Sequence, residues 1–460
     1  MINCPNCNGN LKYDISKGRM LCKFCESTFD PYEFDDKSKD GEISKDYETT
    51  IYTCPECGGE IQSTDNEITG FCPFCGGATI FYQRLEKELK PDYVIPFIKT
   101  KEDCKKAYFS KIKKSWFLPK EYKDEKFVDG FRGIYMPYWS YDISQKGEVT
   151  VEGEKTHRSG DYIIHDFYNI TGDMDTYYNG ITYDASSSFS DDISDKLGPF
   201  DVKKKVPFTA GFLSGFYADT ADVDSRIYMQ NAKDFANNQT FASMSKHPLC
   251  APLSLKKDNP NKVLHTDVAD TQRTLFPVWF MSYRKNDRVA YATVNGQTGK
   301  VVADTPIDFK KFLIFAGVLA VILFAILNAI FVITPHNSVL VVGIVEIISL
   351  ATYLIESLKI AKKEKLTDDK GFNSANQKSQ IRGDGGYSTK KMPIFTAIVA
   401  IGICAIAWLS NSIHDEFIYG SEMVSAVLIT VTLGYLIKEY NLLTTRRLPQ
   451  FDKKGGDDNA

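Results

Sequence analysis

The chain has 460 residues and a formal net charge of −4, with 43% hydrophobic and 25% charged residues. That composition excludes a wholly disordered chain, a collagen-like repeat and a disulfide-stapled miniprotein. The near-neutral charge also argues against a dedicated nucleic-acid binder, whose domain is usually strongly basic.

Eight of the eleven cysteines fall in four Cys-x-x-Cys pairs: Cys4/Cys7, Cys22/Cys25, Cys54/Cys57 and Cys72/Cys75. Each member of the second set lies 50 residues after its counterpart in the first, so one module is repeated. Two residues between cysteines let a tight turn aim both sulfurs at one point, and the longer gap returns the chain as a hairpin. Four thiolates so placed suit tetrahedral zinc. The spacing predicts two Cys4 zinc ribbons, over 1–30 and 50–82, holding two zinc ions; iron fits the same spacing. A disulfide framework would call for a secreted chain, and a redox pair for a thioredoxin-like context. Gly58 and Gly76 follow their knuckles, where the backbone needs a positive φ. Asn8 and Glu26 stand at those places in the first module, so its knuckles are less ideal. Cys104, Cys250 and Cys404 are unpaired and read as structural.

Residues 1–82 carry 7 Lys and Arg against 14 Asp and Glu, before each thiolate-bound zinc adds further negative charge. Such a surface repels a phosphate backbone, so nucleic acid is not expected on the ribbons and a protein partner is. Residues 84–126 reverse the sign, with 13 basic against 8 acidic side chains. Thr100 and Asp103 read as a capping box opening a helix over 101–117. Ala107, Phe109, Ile112, Trp116 and Phe117 form its apolar face, with lysines between them.

Residues 93–306 read as an α+β domain with an antiparallel sheet. Strands are expected at Gly133–Ile143, Glu148–Glu154, Asp161–Thr171, Leu275–Arg284, Arg288–Asn295 and Lys300–Asp304, and a second helix over 222–245. Pro137/Trp139 and Pro277/Trp279 form a fainter repeat 140 residues apart, pointing to two related sheet halves. Asn295–Lys300 reads as a turn between two strands, and Gly296-Gln-Thr-Gly299-Lys300-Val301 falls short of a phosphate-binding loop, having two residues between the glycines and no hydroxyl after the lysine. His157, Asp161, His165 and Asp166 can be drawn as a metal cluster but read as solvated residues. No catalytic motif stands out, and the chain is expected not to be an enzyme.

The order of the ribbons, Val94-Ile-Pro-Phe, Trp116-Phe-Leu-Pro, Gly133-Ile-Tyr-Met-Pro-Tyr-Trp, Pro277-Val-Trp and Gly296-Gln-Thr-Gly-Lys-Val resembles a family. It is similar to the membrane-anchored zinc-ribbon proteins of Gram-positive bacteria that carry a transcription-factor-IIB-type ribbon. Some relatives there bear helicase or replisome labels, and some are linked to membrane-stress systems. The resemblance implies a membrane-associated scaffold.

Residues 307–460 hold four apolar runs, Phe312–Thr334, Val339–Leu358, Pro393–Leu409 and about Met423–Ile437, each read as a membrane helix. They make hairpins over 311–358 and 392–440, a basic loop over 359–391 and a tail over 441–460. The loop's nine basic residues place it, both termini and the ribbons in the cytoplasm of a multi-pass protein. Glu346 and Asn328 fall at similar depth and suggest a protonated carboxyl hydrogen-bonded to an amide.

The sequence as a whole reads as multidomain: two ribbons, an α+β cytoplasmic domain and an all-α transmembrane region. The expected function is a zinc-ribbon adaptor that docks a cytoplasmic protein at the bacterial membrane, within the lipid bilayer; self-association is compatible with it. The alternatives are a membrane-tethered nucleic-acid or replication factor, and a small transporter or channel with a regulatory zinc head.

Overall fold

The structure is a computed structural model, and it describes residues 2–34, 46–63, 72–78, 81–189, 191–255, 265–330, 344–345, 347–349, 351–356, 358 and 415–449. The first ribbon is a three-stranded antiparallel sheet of β1 (Leu11–Asp14), β2 (Arg19–Cys22) and β3 (Thr28–Phe29). The second is built on β4 (Asp46–Thr53), β5 (Glu60–Ser63) and β6 (Tyr82–Leu89). After β7 (Tyr93–Val94) comes α1 (Lys101–Ile112), opened by the expected capping box of Thr100 and Asp103. Its buried stripe is Cys104, Tyr108 and Ile112, at the i, i+4, i+8 spacing of one helix face. The helix stops at Ile112, so Trp116 and Phe117 lie beyond it.

A short α2 (Glu125–Val128) leads into β8 (Arg132–Ser159) and β9 (Tyr162–Asp184), paired along one long hairpin. The two strands expected at Gly133–Ile143 and Glu148–Glu154 are thus one. Then follow α3 (Asp191–Leu197), β10 (Val206–Pro207), β11 (Tyr217–Asp219), α4 (Arg226–Met244) and β12 (Ser254–Leu255). The last sheet strands before the apolar segment are β13 (His265–Lys285), β14 (Arg288–Asn295) and β15 (Val301–Ala303). Two long helices, α5 (Phe309–Ile330) and α6 (Asp415–Thr444), precede the short β16 (Arg446–Arg447).

Among the described residues thirteen strands, β4 to β16, join one sheet. Its main path runs β10-β7-β13-β8-β11-β5-β4-β6. The sheet is mixed, because β11 runs parallel to β8 and β13 runs parallel to β7. This corrects the expected antiparallel sheet. The second ribbon's strands belong to the sheet through the antiparallel β5–β11 pair. Side chains alternate across β8 and β13. Tyr135 and Trp279 enter the core shared with α1 and the first ribbon, and Met136, Tyr138, Phe276 and Val278 enter the core on α3.

The tryptophan repeat has a structural meaning. Pro137 lies opposite Leu275, and Pro277 lies opposite Tyr135, so the two motifs cross about a local two-fold at the Met136–Phe276 pair. Trp139 donates its indole N–H to the Val223 carbonyl at 2.7 Å, just before α4. Trp279 donates to the Lys99 carbonyl at 2.8 Å, just before α1.

The apolar C-terminal third departs from expectation. Among the described residues one helix, Glu422–Leu442 within α6, is long and apolar enough over its described side chains to cross a membrane. This overturns the four-helix transmembrane region and the multi-pass localisation with both termini cytoplasmic. Hydropathy records composition along the chain, whereas a crossing needs an unbroken apolar helix of about 20 residues; the run Phe312–Thr334 is described only to Ile330, as part of α5, with several of its side chains outside the described residues. Within Val339–Leu358 the described stretch is the shorter helix Ile347–Glu356. Pro393–Leu409, the 359–391 loop, Cys404, Glu346 and the Asn328 side chain lie outside the described residues.

Candidate metal centres

Each ribbon closes four sulfurs around a point. Cys4 Sγ lies 3.6 Å from Cys25 Sγ, and Cys7 Sγ 3.4 Å from Cys22 Sγ. In the second ribbon the Cys54–Cys75 and Cys57–Cys72 separations are both 3.8 Å. All four sulfurs of each group lie within 4.8 Å of one another. A tetrahedron with metal–sulfur bonds of ~2.3 Å has edges of ~3.8 Å, so the donor set fits a tetrahedral thiolate metal. Both groups could hold a metal ion, as the spacing predicted.

The knuckles are built alike. The Cys4 carbonyl accepts from Asn8 N, the Cys22 carbonyl from Glu26 N, the Cys54 carbonyl from Gly58 N and the Cys72 carbonyl from Gly76 N, at 2.8–3.0 Å. All four donor residues are left-handed, with φ of 61°, 59°, 75° and 71°. Asn8 and Glu26 adopt the geometry without glycine's freedom. In the first ribbon the Ser27 hydroxyl lies 3.3 Å from Cys25 Sγ.

The two modules differ in where they sit. In the first, Cys7 and Cys25 are exposed; in the second, all four cysteines are buried. The first ribbon docks through its strands. Tyr13 packs on Phe212 at 5.2 Å, and Tyr13 N donates to the Ser214 carbonyl at 3.0 Å. The second docks through its knuckle. Phe74, between Cys72 and Cys75, is 1% exposed and stands edge-on to Phe280 at 6.3 Å. The Tyr291 hydroxyl donates to its carbonyl, and Arg284 pairs with Glu56 beside the same site. A Cβ on Gly76, whose φ is positive, would lie 3.1 Å from Arg284 Cβ, so a side chain there would be strained and would press on Arg284.

Phe24 is the counterpart of Phe74, 50 residues earlier between Cys22 and Cys25, and it is 80% exposed. Sequence reasoning missed this contrast, although both modules read Cys-x-Phe-Cys at their second knuckle. The missing signal was spatial: β13 and β14 supply the seat for Phe74 from 200 residues away.

The histidine cluster does not assemble. Thr156 faces His165 and His157 faces Ile164 across the β8–β9 hairpin, so His157 and His165 point to opposite faces. His157 pairs with Asp166 at 3.3 Å, and His165 pairs with Glu154. Asp161 lies in the turn between the strands.

A mixed sheet, two four-cysteine centres and, among the described residues, one helix long and apolar enough to cross a membrane define the architecture. The chain is similar to the Uncharacterized protein YdjG of Bacillus subtilis (strain 168), with 27% identity over 316 residues. The match covers 67% of this chain and 90% of that protein. No protein-family model matches the chain, and no solved structure does.

Proposed function

We propose that this chain is a zinc-bearing adaptor, tethered to a membrane by α6, whose first ribbon docks a cytoplasmic protein. The observation that carries the reading is the contrast between Phe24 and Phe74. One module spends its second knuckle on the chain's own sheet, and the other presents the equivalent knuckle to solvent. Zinc is the metal proposed for both centres, because a closed all-thiolate set is its structural coordination. Each metal holds its knuckle turn in place, and folding of such a module depends on it. The partner recognised by Phe24 should offer what β13 and β14 offer Phe74: an aromatic face with a cationic side chain beside the thiolates.

A photo-crosslinking residue at position 24 of the full-length chain, in membranes, tests this. The expected result is a protein adduct that survives nuclease and disappears on Cys4→Ser/Cys7→Ser. Nuclease-sensitive adducts, or tight binding of the chain's ribbons to DNA or RNA, would instead favour a replication-associated role. Adducts unchanged without the cysteines would remove the ribbon from the function.

A further inference from the structure

The segment after α1 meets the ends of both long helices and forms a groove of about 410 Å³. Its walls include Lys114, Trp116, Phe117, Ile307, Phe315 and Tyr440. Several contacts fix its depth relative to α6. Asn441 Nδ2 donates to the Ile307 carbonyl at 2.8 Å, and Ile307 N donates to Asn441 Oδ1 at 2.7 Å. The Lys311 ammonium donates to the Leu118 carbonyl at 2.6 Å. Phe117 stands edge-on to Phe312 at 5.6 Å and to Phe315 at 5.4 Å. The groove therefore lies level with the C-terminal end of the Glu422–Leu442 stretch, where a crossing helix meets the lipid headgroups.

Its chemistry is layered as that boundary is. On one side α5 leaves Ile314, Val318 and Val321 exposed. In the middle Trp116 is 72% exposed and edge-on to Phe315 at 6.5 Å. Tryptophan with an apolar body and a polar N–H concentrates at the membrane–water interface. On the polar side stand Lys114 in the groove wall and the exposed Lys113 and Lys310. The Asp308 carboxylate accepts from the backbone N–H groups of Lys310 and Lys311 and so caps α5. Among the described residues that line the groove none is acidic.

We infer that this groove receives the headgroup of an anionic phospholipid, with the lysines on its phosphate and Trp116 among the upper acyl carbons. The inference rests on α6 crossing a bilayer. It also gives the basic segment a role: exposed lysines beside a membrane attract anionic lipid.

The test uses the full chain in neutral detergent, titrated with short-chain phosphatidylglycerol, phosphatidylcholine and free glycerol phosphate. Phosphatidylglycerol should bind at least about tenfold tighter than phosphatidylcholine, and free glycerol phosphate should not compete. Lys113→Glu/Lys114→Glu should abolish the preference. Trp116→Ala should weaken both lipids alike. Both variants should keep the wild-type metal content and melting temperature; if the double variant does not, Lys114→Gln alone should still reduce the preference. Equal affinity for the two lipids, an unchanged preference in a folded lysine variant, or displacement of the lipid by an acidic peptide would overturn the proposal. Extraction of the wild-type chain from membranes by alkaline carbonate would refute the tether, and the groove with it. Carbonate resistance without lipid preference would refute the groove alone.

Discussion

The hydroxyl of Tyr291 donates to the carbonyl of Phe74 at 2.6 Å, joining strand β14 to the second metal knuckle. The ring of the same tyrosine lies under the Arg446 guanidinium at 5.2 Å, and Arg446 pairs with Asp304 at 2.6 Å. Burial pushes the Tyr291 hydroxyl well above its ordinary pKa, so it remains a donor throughout the physiological range. One side chain thus links a metal site to the segment that follows α6.

Tyr291→Phe should leave the Phe74 carbonyl buried and without its hydroxyl donor, a loss of about 1–3 kcal/mol. Because that carbonyl lies between two ligands, zinc should leave the second ribbon faster under chelator challenge. The first ribbon should release its metal at the wild-type rate. Two-phase release followed by a colorimetric zinc indicator distinguishes the sites.

Metal analysis of the purified chain should find two zinc ions. Cys54→Ser/Cys57→Ser should remove one and lower the melting temperature of the whole sheet, because β4, β5 and β6 are strands of it. Cys4→Ser/Cys7→Ser should also remove one, but with a smaller effect on the sheet, since the first ribbon has its own three strands. Equal thermal losses in the two variants would contradict this division.

Glu26 holds a left-handed backbone at φ 59° that costs a side-chain-bearing residue about 1 kcal/mol. Glu26→Gly should therefore strengthen metal retention by the first ribbon. Gly76→Ala should do the reverse in the second, since its φ is 71° and the added Cβ would press on Arg284. Competition with a chelator of known affinity reads both.

Trp139→Phe and Trp279→Phe should cost similar amounts, about 1 kcal/mol each for the indole hydrogen bond, in denaturant unfolding. The local two-fold places each indole against a carbonyl that precedes a helix. A cost confined to one of them would show that the two halves do not share this anchor.

What the sequence revealed followed from short-range constraints. Two-residue cysteine spacing, the Thr100–Asp103 cap and the Asn295–Lys300 turn are local, and the structure contains each of them. Asn295 Oδ1, for example, accepts from both Gln297 N and Thr298 N at 2.9 Å. The mixed sheet was hidden because its parallel pairs join residues far apart, such as Tyr217 with Ile134. The extent of α1 was misread because Trp116 and Phe117 keep helical spacing while packing on α5 instead. The roles of Phe24 and Phe74 were hidden for a similar reason: the shared Cys-x-Phe-Cys pattern sits in unlike surroundings.

Strand β14 is completed from a distance. Arg288 Nε donates to Thr445 Oγ1 at 2.7 Å, its Nη2 donates to the carbonyls of Leu442, in the last turn of α6, and of Thr445 just beyond it, and β16 pairs with Arg288 and Val289. On the ribosome, Arg446 emerges about 160 residues after Arg288, an interval on the order of 10–30 s at ordinary rates of synthesis. Through that interval the nascent sheet keeps an unpaired margin at Arg288–Val289, and Arg288 has no helix end to cap. The last turn of α6 is therefore a late fastener, which can close on β14 only after nearly the whole chain has been made.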